Sequence, residues 1–184
     1  MTVLAALHTR NSHPRLTQPG PNQDALESIL HAGLRAPDHA RLRPWQFVVI
    51  QDNARERLGR VFERSLLLKK PDAADAEREK ARCAPLRAPL IVAGLLKPVE
   101  HPKVPRVEQV AAVACALHGM SLASEALGFG TMWRTGDYAR DPVVIESLGG
   151  TAGDEIIGFL YIGTREGAVK PLPNGNLSAY VSHL

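Results

Sequence analysis

Apolar residues along this chain fall either at helical spacing or in short continuous runs, the pattern of a domain that mixes helices and strands. The clearest helix begins after Asn22, whose side chain can cap it, and carries apolar residues at 26, 29, 30 and 34. Pro37 ends this pattern, because the residue before a proline is disfavoured in a helix. The run 89–96 is continuously apolar, which predicts a buried strand over 89–97.

The other segments repeat these two patterns. Further helices are predicted at Val3–Thr9, 54–68, 72–82, 106–127 and 142–148, the last capped by Asp141, and further strands at 47–51, 130–133 and 155–163. The helix at 72–82 is charged and expected to face solvent. Its like-charged pair Asp75 and Glu79 leads us to expect no stabilisation from ion pairing. Segment 10–21, rich in proline and glycine, is predicted to be loop.

The longest predicted helix, 106–127, is rich in alanine and glycine, which let another helix approach closely. We expect it at the centre of the fold or at a subunit interface. Strands and helices do not alternate regularly, so the order predicts one α+β domain over residues 1–184, with a central mixed or antiparallel sheet flanked by helices. A doubly wound fold is the alternative. The segment 168–184 is expected to be an extended arm that packs on a partner chain.

Composition narrows the possible functions. The 184 residues include 22 Lys and Arg against 19 Asp and Glu, a net charge of only +3, and the arginines are scattered. This distribution suits contacts with a phosphate-bearing small molecule better than a nucleic-acid surface. No apolar run is long enough to span a bilayer and the first residues do not resemble a secretion signal, so we expect a cytoplasmic protein with no membrane partner. Cys83 and Cys115 are too few for a disulfide framework and are expected to be buried, small apolar residues.

Several chemistries are excluded by missing motifs. The segment that starts at Gly128 resembles a dinucleotide fingerprint, but it lacks the third glycine and precedes a strand. No phosphate loop and no histidine or cysteine spacing typical of zinc is present, so no metal is expected. The segment 122–131 has the spacing of a helix-turn-helix turn, but no recognition helix follows it. No residue is assigned as a catalytic acid or base.

Three polar clusters lie in loops beside apolar elements: Arg10-Asn11-Ser12, the segment 35–45, and Trp133-Arg134-Thr135. Arginine binds phosphate bidentately, and hydroxyl and amide groups hydrogen-bond a sugar-like chain. Cations near a flavin ring stabilise the negative charge that develops on it during reduction. Spacing alone leaves a second interpretation open, in which these residues only cap helices and form turns.

Longer stretches resemble the nitroreductase superfamily. They are LHAGLRAPDH (30–39), RPWQFVVI (43–50), RAPLI (87–91), KVPR (103–106), LGFG (127–130), WRTG (133–136) and IGFLYIG (157–163). They follow one another in order over nearly the whole chain. The resemblance implies a nitroreductase-like α+β fold, an intertwined homodimer, and two FMN sites at the interface between its subunits.

Site residues follow from this resemblance position by position. Arg10, Asn11 and Ser12 match the family's N-terminal FMN-binding tripeptide, and Arg35 and His39 match positions that reach the flavin bound mainly by the partner chain. Trp133, Arg134 and Thr135 match the stretch on the other side of the flavin. A further stretch matches one that the family assigns to the nicotinamide nucleotide: Ala123, Ser124, Glu125, Ala126, Leu127 and Gly128.

The chain also departs from the family pattern. Asn11 stands where the family often has Arg or Ser, which removes one possible phosphate contact for which Arg15 could compensate. Residues 40–43 read Ala-Arg-Leu-Arg, where the wider family usually carries Asn or Ser near the flavin. The resemblance implies an FMN-dependent oxidoreductase that passes a hydride from NAD(P)H to a nitro-aromatic, quinone or similar acceptor. The alternatives are a non-catalytic FMN storage or sensor protein and, on net charge alone, a nucleic-acid-binding protein.

Overall fold

The computed structural model describes residues 2–168, 171–172 and 175–184. The helices within them are α1 (Val3–Thr9), α2 (Gln23–Gly33), α3 (Asn53–Lys69), α4 (Asp75–Cys83), α5 (Arg106–Ala126) and α6 (Pro142–Ser147). The strands are β1 (Leu16–Thr17), β2 (Trp45–Gln51), β3 (Leu90–Leu96), β4 (Gly130–Arg134) and β5 (Glu155–Arg165). Short 3-10 turns follow at His39–Arg41, Ala84–Arg87, Asp137–Arg140 and Leu177–Ala179.

The strands form one antiparallel sheet. Its order is β1-β5-β3-β2, and β4 also pairs with β5. Every pairing between named strands is antiparallel. The α+β prediction is therefore confirmed, and the doubly wound alternative is wrong, because that fold requires parallel neighbours.

Strand β3 is buried along its whole length, and its side chains alternate between the two faces of the sheet. Both faces of the sheet are therefore covered, in each case by helices. Ile91 and its neighbours on one face pack in a core with α3 and α4. Val92 and its neighbours on the other face pack in a core with α2 and α5. The continuous apolar run therefore made a buried strand, as predicted.

Close packing of α2 against α5 depends on small residues, as the alanine- and glycine-rich sequence of α5 predicts. A Cβ atom on Gly119 would lie 3.2 Å from the carbonyl oxygen of Ala32. The opposite side of α5 carries exposed residues that include Val107, Ala111, Cys115 and His118. This side is covered by no part of the chain that the structure describes.

Two predicted helix caps are confirmed. The Oδ1 atom of Asn22 accepts a hydrogen bond from the Ala25 amide at 3.0 Å. The Oδ1 atom of Asp141 accepts one from the Val143 amide at 2.9 Å. Each bond satisfies an amide that a helix terminus would otherwise leave without an acceptor.

Three predictions are wrong. Segment 10–21 is not all loop, because Leu16 and Thr17 pair with the end of β5. Cys83 and Cys115 are exposed rather than buried. Helix α4 is also held by ion pairs, since its residues Arg78 and Arg82 bond both carboxylates of α4 and Glu63 of α3. The prediction rests on pairs four residues apart within α4. The observed partners lie three residues apart in α4 or belong to α3.

The predicted arm 168–184 lies partly outside the described residues. Its described part is exposed and includes the turn Leu177–Ala179. Among the described residues, no helix has both the length and the apolar character needed to cross a membrane. The same residues contain no group of three His, Cys, Asp or Glu side chains placed to hold a metal ion.

Candidate active site

A cavity with a volume of about 600 Å³ opens between helices α3 and α4 on one side and strands β4 and β5 on the other. Antiparallel pairing places Met132 opposite Tyr161 and Arg134 opposite Phe159. Cross-strand partners project from the same face of a sheet, so these four side chains form one wall. Helical residues close the other side, among them Leu66, Lys80, Ala81 and Ala84.

Aromatic rings form an apolar surface inside this cavity. The ring of Tyr138 stacks on that of Phe62 with centroids 3.9 Å apart and planes 1° apart. The ring of Phe159 meets Phe62 edge-on at 5.7 Å. Phe62 and Phe159 are almost completely buried, so the half-buried ring of Tyr138 is the part of this stack that a planar ligand can reach.

Cationic groups accompany this apolar surface. The guanidinium of Arg134 lies 5.5 Å from the ring centroid of Tyr161, and its Nε atom is buried without a hydrogen-bond partner. Lys80 and Arg87 also line the cavity. Glu77 lines it as well, but its carboxylate is bonded to Lys70 at 2.8 Å. The cavity thus combines flat apolar surface with an excess of positive charge.

The Tyr161 hydroxyl keeps its proton at neutral pH. Burial raises the pKa of Tyr161 to about 12, although the nearby charges of Arg134 and Arg87 lower it. A protonated phenol can donate a hydrogen bond. Tyr161 therefore adds a donor to the site without adding a negative charge.

The predicted tripeptide lies beside the start of β4. Ser12 forms a bridge with Thr131, and the His13 amide donates to the Thr131 carbonyl oxygen at 2.9 Å. The Asn11 side chain accepts from the Ser12 amide at 2.9 Å. Thr131 precedes Trp133 by two residues in an extended strand, so the structure brings the first and third polar clusters together.

A cluster of His13, Arg165 and the buried Glu125 adjoins this tripeptide. Burial lowers the pKa of His13, and the charges of Arg165 and Arg10 lower it further, while Glu125 opposes them. The Nε2 atom of His13 and the Nε atom of Arg165 are buried without hydrogen-bond partners. The Oε2 atom of Glu125 is also buried without a hydrogen-bond partner, and the carboxylate of Glu125 pairs with Arg165 at 2.7 Å. Arg10 and Ser12 are therefore the groups here that suit an anionic group such as a phosphate.

The stretch predicted to bind the nicotinamide nucleotide ends α5. Ser124 is buried, and its hydroxyl donates to the Met120 carbonyl oxygen at 2.8 Å. Glu125 is buried and paired with Arg165 at 2.7 Å. Ala123 is half-buried, whereas Ala126, Leu127 and Gly128 are exposed. The assignment of this stretch remains a prediction, and its exposed end is the part a ligand can reach.

Arg35 and His39 belong to a separate cleft. It has a volume of about 480 Å³ and is lined by Leu34, Arg35, Ala36, Asp38, Arg41, Arg43 and Trp45. The Nδ1 atom of His39 lies beside it, 2.6 Å from the Glu108 carboxylate of α5. This side-chain contact holds the loop against the first turn of α5.

Sheet geometry keeps this arginine cleft away from the cavity within one chain. Trp45 begins β2, and three steps across the sheet separate β2 from β4, about 14 Å in total. Trp45 also aligns through Leu96 with Glu155, whereas Arg134 aligns with Phe159. These positions are four residues apart on β5, about 13 Å along the strand. The structure therefore does not bring Arg35 and His39 to Trp133, Arg134 and Thr135 of the same chain.

Sequence reasoning missed several residues of these sites: Lys80, Arg87, Tyr138, Tyr161, Arg165 and Glu108. Most lie on elements distant in sequence that only the sheet brings together. Arg87 and Tyr161 did fall within the stretches that carry the family resemblance, 87–91 and 157–163. Those stretches were the available signal, but nothing in them distinguished a cavity residue from a core residue.

Comparison with known proteins gives a consistent result. The model of the nitroreductase family matches residues 9–164. The chain is 44% identical over 164 residues to a protein of Escherichia coli K12 named "Putative NAD(P)H nitroreductase YdjA", covering 89% of this chain and 88% of that protein.

Two solved structures share the fold. A nitroreductase-like family protein of Bacillus cereus superposes with a TM-score of 0.84 at 22% identity, covering 100% of this chain and 96% of that chain. A nitroreductase of Bacteroides fragilis, solved with bound FMN, superposes with a TM-score of 0.77 at 23% identity, covering 100% of this chain and 99% of that chain.

Proposed function

From the premise that this chain belongs to the nitroreductase family, we propose that it is an FMN-dependent NAD(P)H oxidoreductase that works as a homodimer. The observation that carries the proposal is the cavity between α3, α4 and β4–β5, where stacked aromatic rings lie beside Arg134, Arg87 and Lys80. A nitro-aromatic, a quinone or a similar acceptor would take the electrons.

The chain's own residues fit the parts of FMN. The ring of Tyr138, which stacks on the buried Phe62, suits the flavin ring, and the unpartnered Nε atom of Arg134 is an uncommitted donor inside the cavity. Arg10 and Ser12 suit the phosphate. The short strand from Thr131 to Thr135 joins these two groups, so a chain-like ribityl group would lie along it.

The homodimer is supported by two features. The arginine cleft and the cavity are separated within one chain, so both can border the same flavin only if a second copy supplies one of them. Apolar side chains are also exposed on α1 and α5 and in the described part of the arm. They include Val3 at 75%, Val107 at 70%, Leu177 at 74% and Tyr180 at 87% exposure. Interfaces between subunits bury exposed apolar side chains of this kind.

When bound, FMN supplies the chemistry of accepting and passing on a hydride. The residues around it orient the ring and set its electrostatic surroundings. Lys80, Arg87 and Arg134 favour negative charge on a bound ring. Tyr161 stays protonated and available as a hydrogen-bond donor, and the stacked rings of Phe62 and Tyr138 exclude water from one side.

Two measurements test this function. Purified protein reconstituted with FMN should show a bound-flavin absorbance spectrum after free FMN is removed. Mixing it with NADH or NADPH in a stopped-flow instrument should bleach the flavin band. A colourless protein would contradict the proposal. Tight FMN binding with no bleaching by either nucleotide would favour a storage or sensor protein instead.

A further inference from the structure

His13 is a buried histidine that directly follows the tripeptide proposed to bind the phosphate of FMN. Its side chain is 8% exposed, and its Nε2 atom has no hydrogen-bond partner among the residues that the structure describes. Its amide donates to the Thr131 carbonyl oxygen at 2.9 Å, which holds the residue against the start of β4. A Cβ atom on Gly130 would lie 3.1 Å from Cδ2 of His13 and 2.7 Å from Cγ of Arg165, so the imidazole is closely packed.

Charged groups from three parts of the chain surround this imidazole. They are Arg10 directly after α1, Glu125 of α5 and Arg165 of β5, whereas the start of β4 contributes no charge. Burial is the main cause that lowers the pKa of His13, both arginines lower it further, and Glu125 opposes them. The imidazole is therefore neutral at pH 7 in the flavin-free protein. Two guanidinium groups and one carboxylate then give the cluster a net charge of +1.

We propose that His13 takes up a proton when the phosphate of FMN binds, so that cofactor affinity rises as the pH falls from about 8 to about 6.5. This inference rests on the proposed function, because it assumes that the phosphate contacts Arg10 and Ser12. A phosphate monoester carries close to two negative charges near neutral pH, and it changes the net charge of this largely buried cluster from positive to negative. A proton on His13 restores the balance.

The cluster contains an acceptor for the donor that this proton creates. The Oε2 atom of Glu125 is buried and has no hydrogen-bond partner within the described part of the chain. An imidazolium donates from both ring nitrogens, so protonation of His13 adds a donor beside an unsatisfied acceptor. Opposite charges also attract more strongly in a buried site than in water. A proton on the phosphate itself is disfavoured, because the guanidinium of Arg10 stabilises the dianion.

Release of FMN from the loaded protein measures the change in affinity. The FMN-loaded protein is diluted in steps at about pH 6.5 and about pH 8, and the fluorescence of released FMN gives Kd at each pH. We expect the native Kd to be about threefold lower at the lower pH, because binding raises the pKa of His13. His13→Asn and His13→Gln should remove this dependence. His31→Asn, which replaces an exposed histidine of α2, is the matched control and should retain it.

Calorimetry identifies the group that takes up the proton. FMN is titrated into flavin-free protein at about pH 6.5 in buffers that differ in ionisation enthalpy, and the dependence of the observed heat on the buffer gives the number of protons bound. The native protein should take up more protons than His13→Asn. Glu125→Gln keeps the histidine but removes the charge that favours its protonation, so this variant should take up fewer protons than the native protein.

Equal proton uptake by the native protein and His13→Asn would assign the proton to the phosphate or to another residue and would overturn the inference. A native Kd that does not decrease at the lower pH would overturn it as well. If neither His13 variant folds, unchanged uptake in Glu125→Gln is the result that overturns it. A protein that binds no FMN contradicts the proposed function itself, whereas FMN binding without proton uptake by His13 contradicts this inference alone.

Discussion

Arg134 occupies the most informative position in the cavity. Its guanidinium lies over the Tyr161 ring, and its Nε atom is buried without a partner. Leaving a buried donor unsatisfied costs free energy, so such groups commonly mark the place of a ligand or an ordered water molecule. The residue was already predicted to contact the flavin from the family resemblance, and the structure adds a physical reason for that role.

Replacement of Arg134 by glutamine should weaken FMN binding by about tenfold or more, because a charge-assisted hydrogen bond is lost. The dissociation constant follows from the quenching of FMN fluorescence during titration of the protein. Arg140→Gln, in the exposed turn that follows the site, is the control. Equal FMN affinity in Arg134→Gln and the native protein would remove Arg134 from the cofactor site.

Asp141 is a buried carboxylate that bonds two residues of α3, the helix that forms one side of the cavity. Burial raises the pKa of this carboxyl group, but bonds from Lys69, Ser65 and the Val143 amide outweigh burial and leave the pKa below its usual value. Its Oδ2 atom lies 2.5 Å from the Lys69 ammonium and 2.6 Å from the Ser65 hydroxyl. One side chain thus joins α3 to α6 beside the ring of Tyr138.

A group whose pKa is lowered by folding stabilises the fold above its unfolded pKa, and this contribution is lost as pH falls through its folded pKa. Asp141→Asn should therefore lower the free energy of unfolding by about 1–3 kcal/mol at pH 7. The difference from the native protein should narrow below about pH 4, where the carboxylate becomes protonated. Urea unfolding at several pH values measures this, and Asp137→Asn is the exposed control. A difference that stays constant with pH would show that the charge of Asp141 is unimportant.

At the scale of elements, the wall formed by α3 and α4 depends on one close approach. A Cβ atom on Gly59 would lie 2.2 Å from the carbonyl oxygen of Arg82, a backbone atom that cannot move aside alone. Ion pairs from Glu63 to Arg78 and Arg82 hold the same two helices together. The spacing of this wall therefore sets the width of the cavity.

Gly59→Ala should separate α3 from α4 and destabilise the fold by about 1–3 kcal/mol, the usual cost of overpacking. FMN affinity should fall as well, because Leu66, Lys80 and Ala81 would move away from β4. Urea unfolding and FMN titration measure the two effects. Gly175→Ala is the matched control, because a Cβ atom there would meet nothing within 4 Å. Native stability in Gly59→Ala would show that the helices adjust at no cost.

The sequence predicted elements better than it predicted the contacts between them. Asn22 and the apolar spacing after it identified α2, because capping and periodicity are local properties. The sequence predicts loop at Leu16 and Thr17, because a two-residue strand among prolines has no period and exists only through its pairing with β5. Tyr161 and Lys80 line the same cavity only because the folded chain brings β5 and α4 together, and no local pattern in the sequence predicts that contact. Whether Cys115 is buried depends on which side of α5 faces the sheet, a choice that its apolar sequence left open.

At the scale of the whole molecule, the exposed side of α5 is the surface on which the proposed homodimer can be examined. Cys115 lies in the middle of this side, between Ala111 and His118. Cys83 lies on α4 and is also exposed, but Glu79 raises the pKa of its thiol through a hydrogen bond. The two thiols differ in position and can be distinguished by mass spectrometry after labelling.

Maleimide labelling of the native protein at micromolar concentration should modify Cys115 more slowly than at nanomolar concentration, because dimerisation would cover α5. Cys83 should show no such dependence on concentration and acts as the internal control. Sedimentation under the same conditions gives the oligomeric state. A dimer in which Cys115 labels as fast as in the monomer would move the interface away from α5.

Strand β5 is hydrogen-bonded to β1, β3 and β4, so it cannot leave the sheet without breaking all three pairings. Its amides should exchange with deuterium only through global unfolding, whereas those of α4 and the 34–45 loop should exchange through smaller local fluctuations. Entry of a cofactor would then proceed by motion of the helical side against a strand framework that stays closed, and the slowest-exchanging amides would mark that framework.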